Sequence, residues 1–129
     1  MFHLSKRRST RARRGTVTVE FAICAPILFL FLFAILEFGR AQMIQHTLDN
    51  AVYEGVRRGM SINSTEDKVR ERVFAITIPA AIHNPAIGVS LTKDAVTVSA
   101  SVSLNDHALF SPIFLRNKTL SSTLTLSRR

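Results

Sequence analysis

Apolar and polar positions divide this chain into three regimes. From Phe21 to Leu36 the sequence FAICAPILFLFLFAIL carries no charged residue. A run that is apolar on every side has no face to give to water, so it predicts a helix enclosed by lipid. The sixteen residues 21–36 reach about 24 Å as a helix, slightly short of a bilayer core. Extending the helix to Val17–Phe38 makes it long enough and takes in Glu20 near one end and Glu37 near the other. Pro26 lies inside the run, which a membrane helix tolerates as a kink.

Past Arg40 the pattern becomes amphipathic. Ala41, Ile44, Leu48, Ala51 and Gly55 recur three and four apart, while Asp49, Asn50, Glu54, Arg57 and Arg58 fall mostly elsewhere. Together the two patterns predict one helix from about Val17 to Arg58, with Gly59 as its C-cap. Glu54 precedes Arg57 and Arg58 by three and four residues, a helix-supporting spacing. Ala51, Gly55 and Gly59 are spaced four apart. They form either a stripe for close helix packing or a chance match in which Gly59 only ends the helix.

A short second helix follows, with Ser64 as N-cap, Glu66 and Asp67 in the first turn and Val69, Val73 and Ile76 on one face. Pro79 ends it, and PAAIHNPAIG reads as loop. Then VTVSASVSL alternates throughout: Val96, Val98, Ala100, Val102 and Leu104 point one way, Thr97, Ser99, Ser101 and Ser103 the other. GVSLT offers a shorter partner strand across a tight connection at Lys93-Asp94-Ala95. After a loop with Phe110, Pro112 and Phe114, TLSSTLTLS offers a third strand with Leu120, Leu124 and Leu126 on one face. A three-stranded antiparallel sheet with one apolar face needs a cover, and the amphipathic half of the long helix supplies it. The fold class is α+β.

Charge changes the picture at the N-terminus. Lys6, Arg7, Arg8, Arg11, Arg13 and Arg14 place six of the 17 basic residues in the first 14 positions, with no acid among them. The other 115 residues carry 11 basic and nine acidic side chains. The basicity thus belongs to a tail, which argues against nucleic acid as a partner. A basic tail before an apolar run is a topology signal, placing residues 1–15 in the cytoplasm and everything after Arg40 outside it.

Candidate chemistry is sparse. Cys24 is the only cysteine and lies in the apolar run, where it reads as a small apolar residue. The sequence has no CxxC, no Gly-rich phosphate loop and no HExxH, and His3, His46, His83 and His107 are far apart. No catalytic, metal or cofactor site and no small-molecule substrate is expected. Glu37 and Arg40, three apart, are expected to pair at the outer membrane edge or simply to mark it.

Glu20 stands out, because a carboxylate costs free energy wherever it enters a bilayer. Gly15 and Thr16 lie just upstream. A cut between them would remove all six early basic residues and leave Glu20 four residues from a new amine at Thr16. The stretch RGTVTVEFAICAPILFLFLFAILEFGRA, followed by NAVYEGVRRG, resembles the TadE-like family of pseudopilins of the tight-adherence branch of type IV pilus systems. The matching positions are Arg14-Gly15, Val19-Glu20-Phe21-Ala22, Pro26, Glu37-Phe38-Gly39-Arg40, Asn50-Ala51, and Glu54-Gly55-Val56-Arg57 with Gly59. They cover somewhat over a third of the chain.

The resemblance implies a pilin-like, non-enzymatic subunit of the bacterial inner membrane, with other pilin-like subunits and the pilus assembly machinery as partners. It implies cleavage after Gly15 by a prepilin peptidase and a charge role for Glu20. The expected organisation is a leader (1–15), a membrane helix (16–38), an amphipathic extension (39–60) and an extracytoplasmic α+β domain (61–129). Many type IV pilins begin the mature chain with Phe or Met, whereas this one would begin with Thr16. The residues leave two other readings open. One is a secreted binding domain with an ordinary signal peptide, starting near Gln42. The other is an uncleaved single-pass anchor starting at Met1.

Overall fold

The computed structural model describes residues 10–107 and 113–128. Residues 1–9 of the expected leader, and Phe110 and Pro112 of the expected loop, lie outside the described residues. The element order is α1 (Thr10–Gly59), α2 (Glu66–Thr77), β1 (Ala86–Leu91), β2 (Ala95–Ser103), a 3-10 turn (Leu104–His107) and β3 (Thr119–Ser127). This is the α+β arrangement that the hydrophobic pattern predicts, with an antiparallel sheet ordered β1-β2-β3. The chain falls into two compact units, Met1–Ile35 and Leu36–Arg129.

In the first unit α1 starts at Thr10, earlier than the expected Val17. Arg and Ala at positions 11–14 are strong helix formers, and Gly15 costs only about 1 kcal/mol in a helix interior. None of residues 15–35 is buried; Phe21 is 67% exposed and Phe31 62%. Pro26 lies within the helix. Among the described residues, this is the one helix long and apolar enough to cross a membrane.

The second unit is built around the C-terminal half of α1. Ile44, Leu48, Ala51, Val52 and Val56 are buried and share one core with Val69 and Val73 of α2 and with Val96, Val98, Ala100 and Val102 of β2. Fully burying a Leu, Ile or Val contributes about 1.5–3 kcal/mol, so this stripe carries much of the unit's stability. The expected stripe lacked Val52 and Val56, which widen it by one position on the same face.

β2 lies in the middle of the sheet because its alternation is the cleanest. Every second residue from Val96 to Val102 is buried, and the residues between are half-buried. Its neighbours align apolar residues beside that face: Val96 stands between Leu91 and Leu126, Val98 between Val89 and Leu124, and Val102 beside Leu120. On the other face the Thr97 and Thr125 hydroxyls bond at 2.9 Å. Leu104, expected as the last strand residue, instead opens the 3-10 turn and stays buried. β1 begins at Ala86, inside the expected loop, immediately after Pro85.

Two caps differ from expectation. Gly59 is not a left-handed C-cap, since no glycine has positive φ; Asn63, at φ 66°, takes that conformation after the turn. Gly59 is small for another reason. A Cβ there would lie 2.6 Å from Val96 Cγ1 and 3.3 Å from Leu91 Cδ2. Gly55 likewise faces Val73 and Val98, at 2.8 and 3.4 Å. The small stripe therefore seats α1 on its own sheet and on α2. The N-cap of α2 is Thr65 rather than Ser64, with extended backbone and no side-chain capping bond. Glu66 and Asp67 occupy the first turn, where the helix dipole favours them.

After α2 the Ile82 N–H donates to the Thr77 carbonyl at 3.1 Å and the Ala81 N–H to the Ile78 carbonyl at 3.0 Å. These two bonds form a Schellman motif, and its left-handed position is held by Ala81 at φ 56°. An L-residue there costs about 1–2 kcal/mol. Ile82 is buried and fastens the turn to the core.

Opposite glycine exchanges should therefore have opposite signs. Ala81→Gly should stabilise the folded chain by about 0.5–1 kcal/mol, the relieved strain less the added chain entropy. Gly59→Ala should destabilise it by about 1 kcal/mol, because overpacking against Val96 exceeds the gain in helix propensity. Denaturant midpoints of the full chain in detergent would measure both.

Candidate functional site

The residues expected at the processing site lie on one stretch of α1. Gly15, Thr16 and Glu20 are all exposed. An added Cβ at Gly15 would meet nothing within 4 Å. Thr16 and Glu20, four apart, share a helix face. Gly39 is equally open, whereas Ala51, Gly55 and Gly59 face the core.

Glu37 has a different role from the one expected. It does not pair with Arg40; its carboxylate instead accepts backbone N–H groups from the segment after the 3-10 turn. Leu115 donates to Oε1 at 2.7 Å, Phe114 to both oxygens at 3.1 Å, and Ile113 to Oε2 at 3.3 Å. Three consecutive amides converging on one anion form a nest. Each bond is charge-assisted and stronger than its neutral counterpart. The contact joins residues 76 to 78 positions apart. The Arg40 Nε is buried without a partner.

The segment bound by Glu37 is also held at its flanks. Leu104 N–H donates to the Lys118 carbonyl at 3.0 Å. The Asn117 N–H donates to Asn105 Oδ1 at 3.0 Å, and Asn105 Nδ2 returns a bond to Asn117 Oδ1 at 2.9 Å. Asn117 sits at φ 58°, a conformation Asn tolerates better than most residues. At the other end of the 3-10 turn, buried His107 accepts the His83 N–H on Nε2 at 2.7 Å. Its Nδ1 lies 2.9 Å from the Ser103 carbonyl, so Nδ1 carries the proton and the ring is neutral. The two imidazoles stack with centroids 5.9 Å apart.

Two further ties close the unit. Glu54 pairs with Arg57 at 3.6 Å, as its spacing predicts, and with Arg72 of α2 at 3.1 Å. Such exposed pairs contribute at most about 1 kcal/mol. Arg128 donates from its guanidinium to the Gly59 carbonyl and, at 3.3 Å, to the Thr92 carbonyl. It thereby brings a cation to the C-terminus of α1. None of these long-range partners is visible from sequence spacing. For Glu37, the only cue was an uncharged PIFL stretch that neither neighbouring strand used.

Chemically, the assembly holds position. The Glu37 carboxylate is engaged by N–H groups and His107 is bonded on both nitrogens. Among the described residues, no group of three or more His, Cys, Asp or Glu side chains is placed to hold a metal.

Removing the Glu37 carboxylate leaves three amides without their acceptor. Glu37→Ala should therefore speed hydrogen exchange at Phe114 and Leu115 by about tenfold or more, the equivalent of one lost charge-assisted bond. Exchange at Val98 should change much less. Residue-resolved exchange on the full chain in detergent would measure both.

The model of the TadE-like protein family matches residues 15–57, one third of the chain. No curated protein and no solved structure matches. The matched segment starts at Gly15, runs through the exposed apolar helix and Glu37, and ends in the stripe that seats α1 on its sheet. Over that segment the chain is similar to the TadE-like family.

Proposed function

We propose that this protein is a minor pilin or pseudopilin of a tight-adherence pilus, matured by a prepilin peptidase that cuts after Gly15. The observation that carries the reading is the order of features at the head of α1. A cationic leader meets Gly15-Thr16, then Glu20, then an apolar helix with no buried residue from Phe21 to Leu36. The leader stays in the cytoplasm by its charge, residues 16–38 span the inner membrane, and residues 39–60 run on into the extracytoplasmic domain, whose remainder is 61–129.

Glu20 supplies the assembly chemistry. Near the headgroups its charge costs less than the roughly 2.5–3.5 kcal/mol assigned to an acid at the bilayer centre. A cation offsets what remains: Arg13 or Arg14 before the cut, and the Thr16 amine of the same or a neighbouring subunit after it. Membrane lipid, the peptidase and other pilin-like helices are thus the partners of this end of the chain.

The engagement of Glu37 favours retention of the apolar helix in the mature protein. A signal-peptidase cut near Ala41 would discard Glu37 and free the three amides it holds. Such a cut would also fall inside α1, one turn before buried Ile44.

Protein recovered from membranes of pilus-producing cells should begin at Thr16. A start at Met1 would indicate an uncut anchor, and a start near Gln42 a secreted domain. Glu20→Gln keeps size and removes charge, and it should lower processing or piliation; unchanged levels of both would exclude a charge role.

A further inference from the structure

Glu37 follows directly on the uncharged run 21–36, so whatever it holds lies where that run ends. It holds Ile113, Phe114 and Leu115. Of these, Leu115 packs against the core, but Ile113 is 61% and Phe114 42% exposed. Phe38, the residue after Glu37, is 55% exposed. Three large apolar side chains therefore surround a carboxylate whose charge is already taken up by backbone amides.

From this we infer that residues 113–115 form a second membrane contact. They would be a short interfacial foot that inserts Ile113 and Phe114 into the leaflet where the span ends. The inference rests on the membrane-span reading of residues 16–38.

Three features favour lipid over another occupant. First, Glu37 and Phe38 follow directly on the apolar run, and Glu37 ties Ile113 and Phe114 to that point, so the patch lies where the run ends. Second, irregular backbone enters the interface only where its polar groups are satisfied, and Glu37 satisfies three consecutive N–H groups there. Third, the surrounding charge matches anionic headgroups. Arg116 and Lys118 follow the foot and are exposed, Arg40 lies one turn beyond Glu37, and residues 113–128 contain no acid. Phe and Ile shallowly buried beside Arg and Lys are the composition of interfacial anchors.

The foot would give the domain a second attachment point beside the helix. One helix alone leaves a domain free to rotate about the helix axis, whereas two contacts fix which face of the domain meets the membrane.

The chain has no tryptophan, so single-tryptophan reporters are available. The full chain would be placed in phosphatidylcholine–phosphatidylglycerol vesicles carrying Phe114→Trp, Ile113→Trp or, as a reference within the span, Phe31→Trp. Both foot reporters should emit blue-shifted light. They should be quenched by lipids brominated near the headgroup and protected from aqueous iodide. Phe31→Trp should be quenched by lipids brominated toward the chain ends. Adding Glu37→Ala to Phe114→Trp should restore iodide quenching.

If iodide quenches both foot reporters and brominated lipid quenches neither, while Phe31→Trp responds to lipid, the foot is overturned and the span stands. If Phe31→Trp is also insensitive to lipid, both readings fail. If the foot reporters are shielded from iodide and lipid alike, the patch is covered by protein, such as a second copy, and the lipid contact is overturned.

Discussion

The second unit depends on a close approach between α1 and β2. Gly55 and Gly59 remove the side chains that would otherwise hold the helix away from Val96 and Val98. With that contact made, the helix, α2 and the buried face of β2 share one core. A three-stranded sheet is marginal alone, and here its apolar face is covered by the second half of α1. The same helix therefore meets two solvents. From Phe21 to Leu36 it is apolar on all sides, and from Ile44 it buries one stripe and exposes polar residues on the other.

Secondary ties gather where this helix changes character and where it ends. Glu37 grips residues 113–115 at the transition, and Arg128 binds the Gly59 carbonyl at the C-terminus. His107, bonded on both ring nitrogens, and the reciprocal Asn105–Asn117 pair shape the β2–β3 connection so that it reaches Glu37. Its described residues, 104–107 and 113–118, are hydrogen-bonded to side chains at several points.

The elements were legible because their periods are clean. Alternation from Val96 to Val102 is the period of a strand, and the uncharged run is a helix apolar on every side. Boundaries moved where local chemistry competed with pattern. Leu104 remained buried but turned into a 3-10 helix, and Arg and Ala carried α1 back to Thr10. Gly59 has the pattern of a cap, a glycine after a helical face, while its true constraint, Val96, lies far off in sequence. The same holds for Glu37. Its neighbour Arg40 offered a local partner, but backbone amides more than seventy residues away bind the carboxylate instead. Local spacing reports local pairs, and these two positions are decided by tertiary contact. The family resemblance was legible for a related reason: its positions fall on one continuous helix, where order and spacing survive without tertiary information.

The central claim is that the second half of α1 is part of the domain and not merely its stalk. Amide exchange on the full chain in bicelles, followed as denaturant is raised, tests it most directly. Residues 48–56 of α1 and 96–102 of β2 should open with the same free energy and the same denaturant dependence, because an amphipathic helix stripped of its sheet does not persist in water. If the α1 amides stayed protected while those of β2 exchanged by a separate, lower-energy opening, helix and sheet would not form one cooperative unit, and the account would be contradicted.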